Sequence, residues 1–585
     1  MKFGAWGWML GISCFAAAPL TADDEASWKA PEPPAGIMAS ALGVTRQGHA
    51  IPGWTTVTDY DLGTRKTRVL LLGGTDARRA STKTVLDAVT WFVENPAAAE
   101  WRERFAVAAV PALNVEGRSA ADATGDLASR GYPPRSDSFY QTPDGAEAAY
   151  LWRWIGMFAP DLVVLVRPGQ ATHWRFPEAD HPKWQVLRDE LGGDRFGGAD
   201  DALVVQLNRV PPSETGVVPA LEVETADAAF LARLCKSLGA AGFAGPSPAR
   251  RELQRRLGRS PREVAEQLSA HYGQALPQVV YIPAMALIAR LRLGDMTQDP
   301  EPRQAVERIV APYVDGSKPT KPDNGSALPG HLIFCELADR STGEQRARYL
   351  ELARAASDLA FDPQGNLRES MPFHLEMSDS LFMGAPILAH VGSISGDARY
   401  WDACLRHLRF MRRLCLRSDG IYRHSPLDET AWGRGNGFPA LGVAWCLDKF
   451  PADHPGRSEL LSWFQSHMQA VLQHQDPTGC WHQVVDHPES YRELTATCMI
   501  GYAMSLGTRR GWLDPARFTP AMDRAWYAIR TRAPANGRLV DVCTGTGKQK
   551  SLRDYYDRPA ILGPDDRGGA MSLLFATEIG ARTDR

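Results

Sequence analysis

Of the nine cysteines in these 585 residues, no two stand as a C-x-x-C pair. Thiolate metal sites usually carry that spacing, so its absence argues against one. Beyond the N-terminus no apolar run reaches the roughly 20 residues that a membrane-spanning helix needs. Neither sign of charge is in excess: 65 Lys and Arg stand against 68 Asp and Glu, a formal net charge of -3. A dedicated nucleic-acid binder would carry a basic surplus. Short basic stretches, such as RRELQRRLGR from Arg250 to Arg259, read as solvated helix faces. No convincing series of β-hairpins follows that stretch.

What is present is enough for two or three domains, with 44% hydrophobic and 23% charged residues. The first residues, MKFGAWGWMLGISCFAAAPLTADDEA, pair Lys2 with an apolar run, then small residues, then acids. That is a secretory signal pattern, too short for a membrane anchor. Cleavage is expected near Ala22, although Leu20 stands where a small residue is preferred. Cys14 follows GIS, a poor lipidation sequence. The expectation is a soluble periplasmic or secreted chain. The other eight cysteines are scattered in mostly apolar helical sequence and read as small core residues, with one or two disulfides open to them after export.

Texture then divides the chain. Residues 23–55, including the proline-rich SWKAPEPPAGIMAS, read as a linker. Residues 56–245 alternate buried-strand runs (TRVLLLGG, RFAVAAVPALN, APDLVVLVRPG, VVPALEVET) with helical period, as in STKTVLDAVTWFVEN. That alternation predicts an α/β sandwich with a mostly parallel sheet. Residues 246–274 read as a helical linker. From 275 to 585 helical segments dominate, among them AMALIARLRL, ARYWDACLRHLRFMRRLCL and TATCMIGYAMSLGTRRG. About three hundred residues of paired helices suit an all-α (α/α)6 barrel of six hairpins. WGRGNGF, Trp432 to Phe438, reads as a loop at one end of it. Its glycines would let backbone approach a ligand, and Trp432 and Phe438 would offer flat faces to a sugar ring.

The stretches SDSLFMGAP, DGIYRH, WGRGNGF, DHPGR, GCWHQVVD, ESYRELTATCMIGYAM, RRGWL, DVCTGTG and DDRGG follow one another from Ser378 to Gly569. In that order the region from about Leu328 to Ile579 resembles unsaturated rhamnogalacturonyl and unsaturated glucuronyl hydrolases, glycoside hydrolase families 105 and 88, and is closer to 105. The resemblance implies the barrel and a particular chemistry. Polysaccharide lyases leave a 4,5-unsaturated uronic acid at the non-reducing end. These hydrolases hydrate its C4=C5 enol ether: an acid protonates C4, water adds at C5, and the hemiketal opens and releases the partner sugar. This is not the two-carboxylate scheme at the anomeric carbon.

Such an acid must hold its proton near neutral pH, through burial or a like charge nearby. Asp379 matches the family's acid/base aspartate. Its bland reading is an N-cap of the apolar helix that follows. Asp323, in PDNGSALPG, is the candidate for the family's second aspartate and reads equally as a turn residue. His424 matches a substrate-contacting histidine, and Arg434 an arginine suited to a carboxylate or sugar hydroxyls. Trp432 reads equally as core, and Asn436 as a residue holding its own loop. His482 and Glu493 are expected to make structural hydrogen bonds. The family's tryptophan two residues before the acid is Met377 here, and its tryptophan after the glycines is Phe438. An upstream family histidine falls near Arg368 or His374. No cofactor or metal is implied. The implied partner is an oligosaccharide bearing an unsaturated uronic acid.

The N-terminal half has a weaker resemblance to zinc carboxypeptidases. Asp76 and Arg79 in LLGGTDARR, and Arg167 after PDLVVLV, occupy that family's ligand places, and Glu224 its general-base place. Arginine at two of three ligand places excludes zinc. The expectation is a degenerate, non-catalytic domain. Two other classes stay open: a carbohydrate-binding barrel without activity, favoured by Met377 and Phe438, and a metallopeptidase or deacylase, disfavoured by the missing histidines.

Overall fold

The computed structural model describes residues 32–583, except 57–59, 78, 118–124, 135–144, 178–181, 244 and 374–375. The expected signal peptide, the start of the expected linker and His374 lie outside the described residues. Eight strands form one sheet: β1 (Met38–Val44), β2 (Ala50–Thr55), β3 (Thr67–Leu72), β4 (Phe105–Val110), β5 (Leu162–Arg167), β6 (His173–Phe176), β7 (Gly193–Arg195) and β8 (Ala220–Glu224). Their order is β1-β2-β4-β3-β5-β8-β6-β7. The central ladders β4-β3, β3-β5 and β5-β8 are parallel. Every residue of β3 and β4 is buried, as continuous apolar runs require when helices cover both faces. The helices Thr82–Glu94 and Phe230–Ala240 pack on the sheet through Val85, Val89, Phe92, Phe230 and Leu234.

The linker expected over 23–55 is corrected in its second half. β1 and β2 form an antiparallel pair, and Trp54 of β2 joins the sheet opposite Ala109. The proline-rich texture stops at Gly36, and β1 runs from partly exposed residues at its start to a buried end over Leu42, Gly43 and Val44.

Six inner helices close a ring: Tyr281–Thr297, Leu332–Asp339, Ala385–Ser395, Gly433–Lys449, Leu494–Arg509 and Asp566–Thr583. Each packs on the next, and the last returns to the first. Outer helices back them: Glu301–Val314, Gly343–Ser357, Ala398–Cys415, Arg457–Leu472 and Pro515–Arg532. The sixth outer helix precedes the ring in sequence. It is Pro261–Ser269, packed on Asp566–Thr583 and opened by a Ser260–Glu263 capping box. Residues 261–269, read as linker, therefore complete the barrel.

The basic stretch is corrected as well. Arg250, Arg256 and Arg259 are buried, not solvated. Arg250 Nη1 meets Asp161 at 2.6 Å, and its Nε donates to Leu62 O at 2.9 Å. Arg256 donates to Thr531 O at 2.7 Å, and Arg259 to Arg530 O and Ala533 O at 2.7 Å each. A planar guanidinium with five donors can satisfy several carbonyls at once, so these residues knit sheet to barrel. Only Arg251 and Arg255 carry the solvated face. Among the described residues, no helix is long and apolar enough to cross a membrane. The eight cysteines after Cys14 are buried and free.

The barrel should weaken in acid. Burial pushes His407 down to about 4, and burial and then Arg412 push His467 down to about 3, from 6.5. Between those values and 6.5 the unfolded chain binds protons that the folded chain refuses. Stability therefore rises with pH across that window and is lost as pH falls from about 6.5. Burial also holds His331 and His390 below their ordinary value. Scanning calorimetry from pH 7.5 to 4.5 should show the unfolding temperature falling steadily. A flat profile would contradict this reading of the buried histidines.

Candidate active site

Each of the first five inner helices is followed by an outer one that returns, so the inner helices start at the same end of the barrel. The motif residues gather there. Tyr281, Trp432, Glu493 and Asp566 stand at helix starts, and Asp379 begins the short helix Ser380–Met383 that leads into Ala385–Ser395. Positive ends of helix dipoles thus converge on this mouth, which favours an anionic ligand.

Asp379 occupies an N-cap position, yet its side chain accepts no capping bond. Instead Oδ2 lies 3.0 Å from Nε2 of His424, with both side chains buried. That geometry does not match the N-cap reading, because a capping carboxylate would face its own helix amides. His424 Nδ1 lies 2.8 Å from the Tyr555 hydroxyl, which in turn accepts from the Gln549 amide at 3.4 Å. Burial pushes the Tyr555 phenol well above its ordinary range, and the Asp379 charge pushes the same way. The His424 ring thus lies between the Tyr555 hydroxyl on its Nδ1 side and the Asp379 carboxylate on its Nε2 side. Tyr555 lies 131 residues from His424 and carries no motif of its own, so sequence reasoning missed it.

The glycine-rich stretch is not a loop. Gly433–Lys449 is an inner helix with Trp432 as its N-cap. Its glycines permit close helix packing rather than ligand approach. A Cβ on Gly433 would stand 2.4 Å from His482 O, one on Gly437 3.1 Å from the Met499 Cβ, and one on Gly442 2.4 Å from Leu381 O. The last contact seats the turn that carries Asp379. Gly442→Ala would gain helix propensity of about 1 kcal/mol, but overpacking against backbone typically costs about 1–3 kcal/mol. A lowered unfolding temperature and a reduced kcat/KM are expected, with Gly258→Ala unaffected, since its Cβ would meet nothing closer than 3.5 Å. Equal stability of Gly442→Ala and the parent would refute the packing role.

The structure corrects several side-chain roles. Trp432 is 1% exposed, its ring against His424 at 4.5 Å and beneath the Arg434 guanidinium at 4.7 Å, so it is a wall and not an open platform. Phe438 is core, stacked on Phe382 at 5.6 Å and edge-on to Tyr281. Asn436 holds its surroundings: Nδ2 donates to Tyr422 O and Trp432 O, and Oδ1 accepts from the Tyr422 amide. Arg434 donates to Cys543 O at 2.8 Å and Thr544 O at 2.7 Å, so its fork holds the strand end Leu539–Cys543 and the turn after it. Asp323 sits exposed on a turn, accepting from Asn324 Nδ2 at 2.9 Å, and cannot supply a buried like charge to Asp379. Arg368 is exposed and donates to Phe361 O. His482 Nδ1 donates to Ser490 O, and Glu493 accepts from the Cys543 and Ala496 amides.

Beside Tyr281 lies a cavity of about 600 Å³, lined in part by Val280, Ile282, Asp565 and Arg567. Burial first, and then Asp379 and Asp565, push the Tyr281 phenol up, while Arg434 and Arg567 pull it down. This phenol therefore senses charges from both the Asp379 corner and the cavity.

In the N-terminal half, Arg167 pairs with Asp126 and with Glu222 at 2.6 Å. Glu224 pairs with Arg175 at 2.8 Å. Arg79 donates to Val115 O at 2.7 Å, and Asp76 accepts from the Ala80 amide at 3.0 Å. Among the described residues no group of three His, Cys, Asp or Glu is placed to hold a metal ion.

Comparison with known proteins adds to this geometry. The family described as Glycosyl Hydrolase Family 88 matches residues 258–583. That match begins just before the outer helix that closes the ring. The unsaturated rhamnogalacturonyl hydrolase YesR of Bacillus subtilis (strain 168) is 25% identical over 308 residues, 49% of this chain and 85% of that protein. An unsaturated 3S-rhamnoglycuronyl hydrolase of Formosa agariphila is 25% identical over 179 residues, 28% of this chain and 48% of the relative. The solved family 105 glycoside hydrolase of C. acetobutylicum ATCC 824 shares 19% identity at a TM-score of 0.47, over 54% of this chain and 98% of that one.

Proposed function

The chain belongs to Glycosyl Hydrolase Family 88, and from that membership we propose that it is an exported enzyme removing 4,5-unsaturated uronic acid from the non-reducing end of lyase products. The observation that carries the proposal is the Asp379 carboxylate, 3.0 Å from His424 Nε2 at the mouth of the barrel and not used as a helix cap. In this reading the Asp379 carboxyl delivers the proton to C4. Protonation of C4 leaves an oxocarbenium-like centre at C5. The ionised Asp379 then takes a proton from the water that adds there. The helix starts around the mouth favour the substrate's own carboxylate. Asp379 is thus acid and then base, His424 orients it, and Arg434 and Trp432 set the shape of the corner.

The relatives bear names of enzymes acting on unsaturated rhamnogalacturonyl and rhamnoglycuronyl substrates, which supports this substrate class for the chain. The reading of residues 1–22 as a secretory signal adds the periplasm or the exterior as its place of work. The N-terminal domain serves as a non-catalytic partner of the barrel, its Arg167 tied to Asp126 and Glu222 where a metal ligand would stand. The competing idea of an inactive sugar-binding barrel leaned on Met377 and Phe438 as an altered platform; Phe438 lies in the core, while Met377 is half-buried beside the Asp379 turn. The test is the absorbance of the C4=C5 chromophore with a panel of lyase-generated oligosaccharides. Loss of absorbance with at least one member is expected, and no loss across rhamnogalacturonyl, rhamnoglycuronyl and glucuronyl products would reject the proposal.

A further inference from the structure

A separate cavity, of about 70 Å³, lies where the sheet domain meets the barrel. Four guanidiniums line it: Arg68 and Arg153 from the sheet side, Arg492 and Arg532 from the barrel. Among the described lining residues Asp541 is the one carboxylate. Arg153 pairs with Asp541, Arg492 with Asp476, and Arg68 donates to Phe158 O and Ala159 O. Arg532 is different. It is 4% exposed, and it makes no hydrogen bond or ion pair with any described residue. It ends the helix Pro515–Arg532, yet no carbonyl accepts from it.

A guanidinium does not shed its proton in a protein, so burial cannot neutralise it as it would a lysine. A buried charge without a partner calls for a counter-ion. The cavity exceeds the roughly 10–15 Å³ that one water requires. It falls far short of the roughly 300 Å³ at which pockets begin to hold drug-sized ligands. A sugar ring is too large for it, whereas a small oxyanion fits, and the guanidinium fork matches two such oxygens at once.

We propose that this cavity is a binding site for a small oxyanion of the carboxylate or phosphate class, held by Arg532 and flanked by Arg492 and Arg153, so that the anion bridges sheet domain and barrel. The site is distinct from the Asp379 corner and does not depend on the proposed reaction.

The test is thermal unfolding of the full chain, titrated with acetate and separately with inorganic phosphate, at ionic strength held constant with chloride. A ligand that binds only the folded state raises its stability. A saturable rise of about 2–5 °C in at least one arm is expected, and the arm that responds identifies the anion. Arg532→Gln should abolish the rise and unfold no earlier than the parent in the chloride buffer without acetate or phosphate, because it removes an unpaired buried charge. Arg262→Gln, on the exposed flank of Pro261–Ser269, should keep the rise. If Arg532→Gln does not fold, Arg532→Lys serves instead. It keeps the charge but loses the fork, and should need about 10-fold more anion. No saturable rise in either arm would overturn the proposal. So would a rise of the same size and midpoint in Arg532→Gln or Arg532→Lys.

Discussion

Asp379→Asn is expected to lower turnover by at least about 10²–10⁴-fold, the usual contribution of a positioned general acid–base. The amide keeps the shape of the acid. It can still lie beside His424 Nε2, 3.0 Å from Asp379 Oδ2 in the parent, but it has no carboxyl proton to deliver. Substrate affinity should therefore change little, and the loss should fall on kcat rather than KM. Stability should also hold, because Asp379 caps no helix. Stopped assays with an unsaturated oligosaccharide at several concentrations separate the two constants. Full activity in Asp379→Asn would remove the catalytic assignment.

The second large effect is on stability. Arg434→Met takes two donors from the carbonyls of Cys543 and Thr544 and leaves the buried Glu493 carboxylate without the guanidinium beside it. Leaving a buried carbonyl without its donor typically costs about 1–3 kcal/mol. The barrel's unfolding transition should shift accordingly, with turnover falling as the 543–546 turn loosens. Glu493→Gln should be costly too, since both its oxygens accept backbone amides, from Cys543 at 2.9 Å and Ala496 at 2.6 Å. The double variant should recover roughly 0.5–3 kcal/mol relative to the sum of the single ones, the usual coupling of contacting residues. If Arg434→Met leaves stability unchanged and only raises KM, the guanidinium is a ligand contact, as its motif alone implied.

What the sequence exposed and what it hid follow from the reach of local signals. Helical period and the ordered motifs pointed to the inner ring, and Asp379 was legible because its motif places it at a helix start. The six-membered closure was only partly legible. Pro261–Ser269 is short, and its partner Asp566–Thr583 stands at the far end of the barrel sequence. Charge misled where burial overruled it: Arg250, Arg256 and Arg259 look like a solvated stripe until the carbonyls of a second domain meet them. Glycine misled for the opposite reason. Its low helix propensity suggests a loop, yet Gly433, Gly437 and Gly442 stay helical because any side chain would collide with a neighbouring element. Tyr555 could not be found at all from sequence, since only the folded chain brings its hydroxyl to His424.

The central claim is that water adds to C5 of an unsaturated uronic acid, and reaction in heavy-oxygen water tests it most directly. Mass spectrometry of the products should find the label in the ring-opened uronic product, at C5, and none in the released partner sugar. Label at the anomeric carbon would instead mean ordinary glycosidic cleavage, and would contradict the role of Asp379 as the acid that protonates C4.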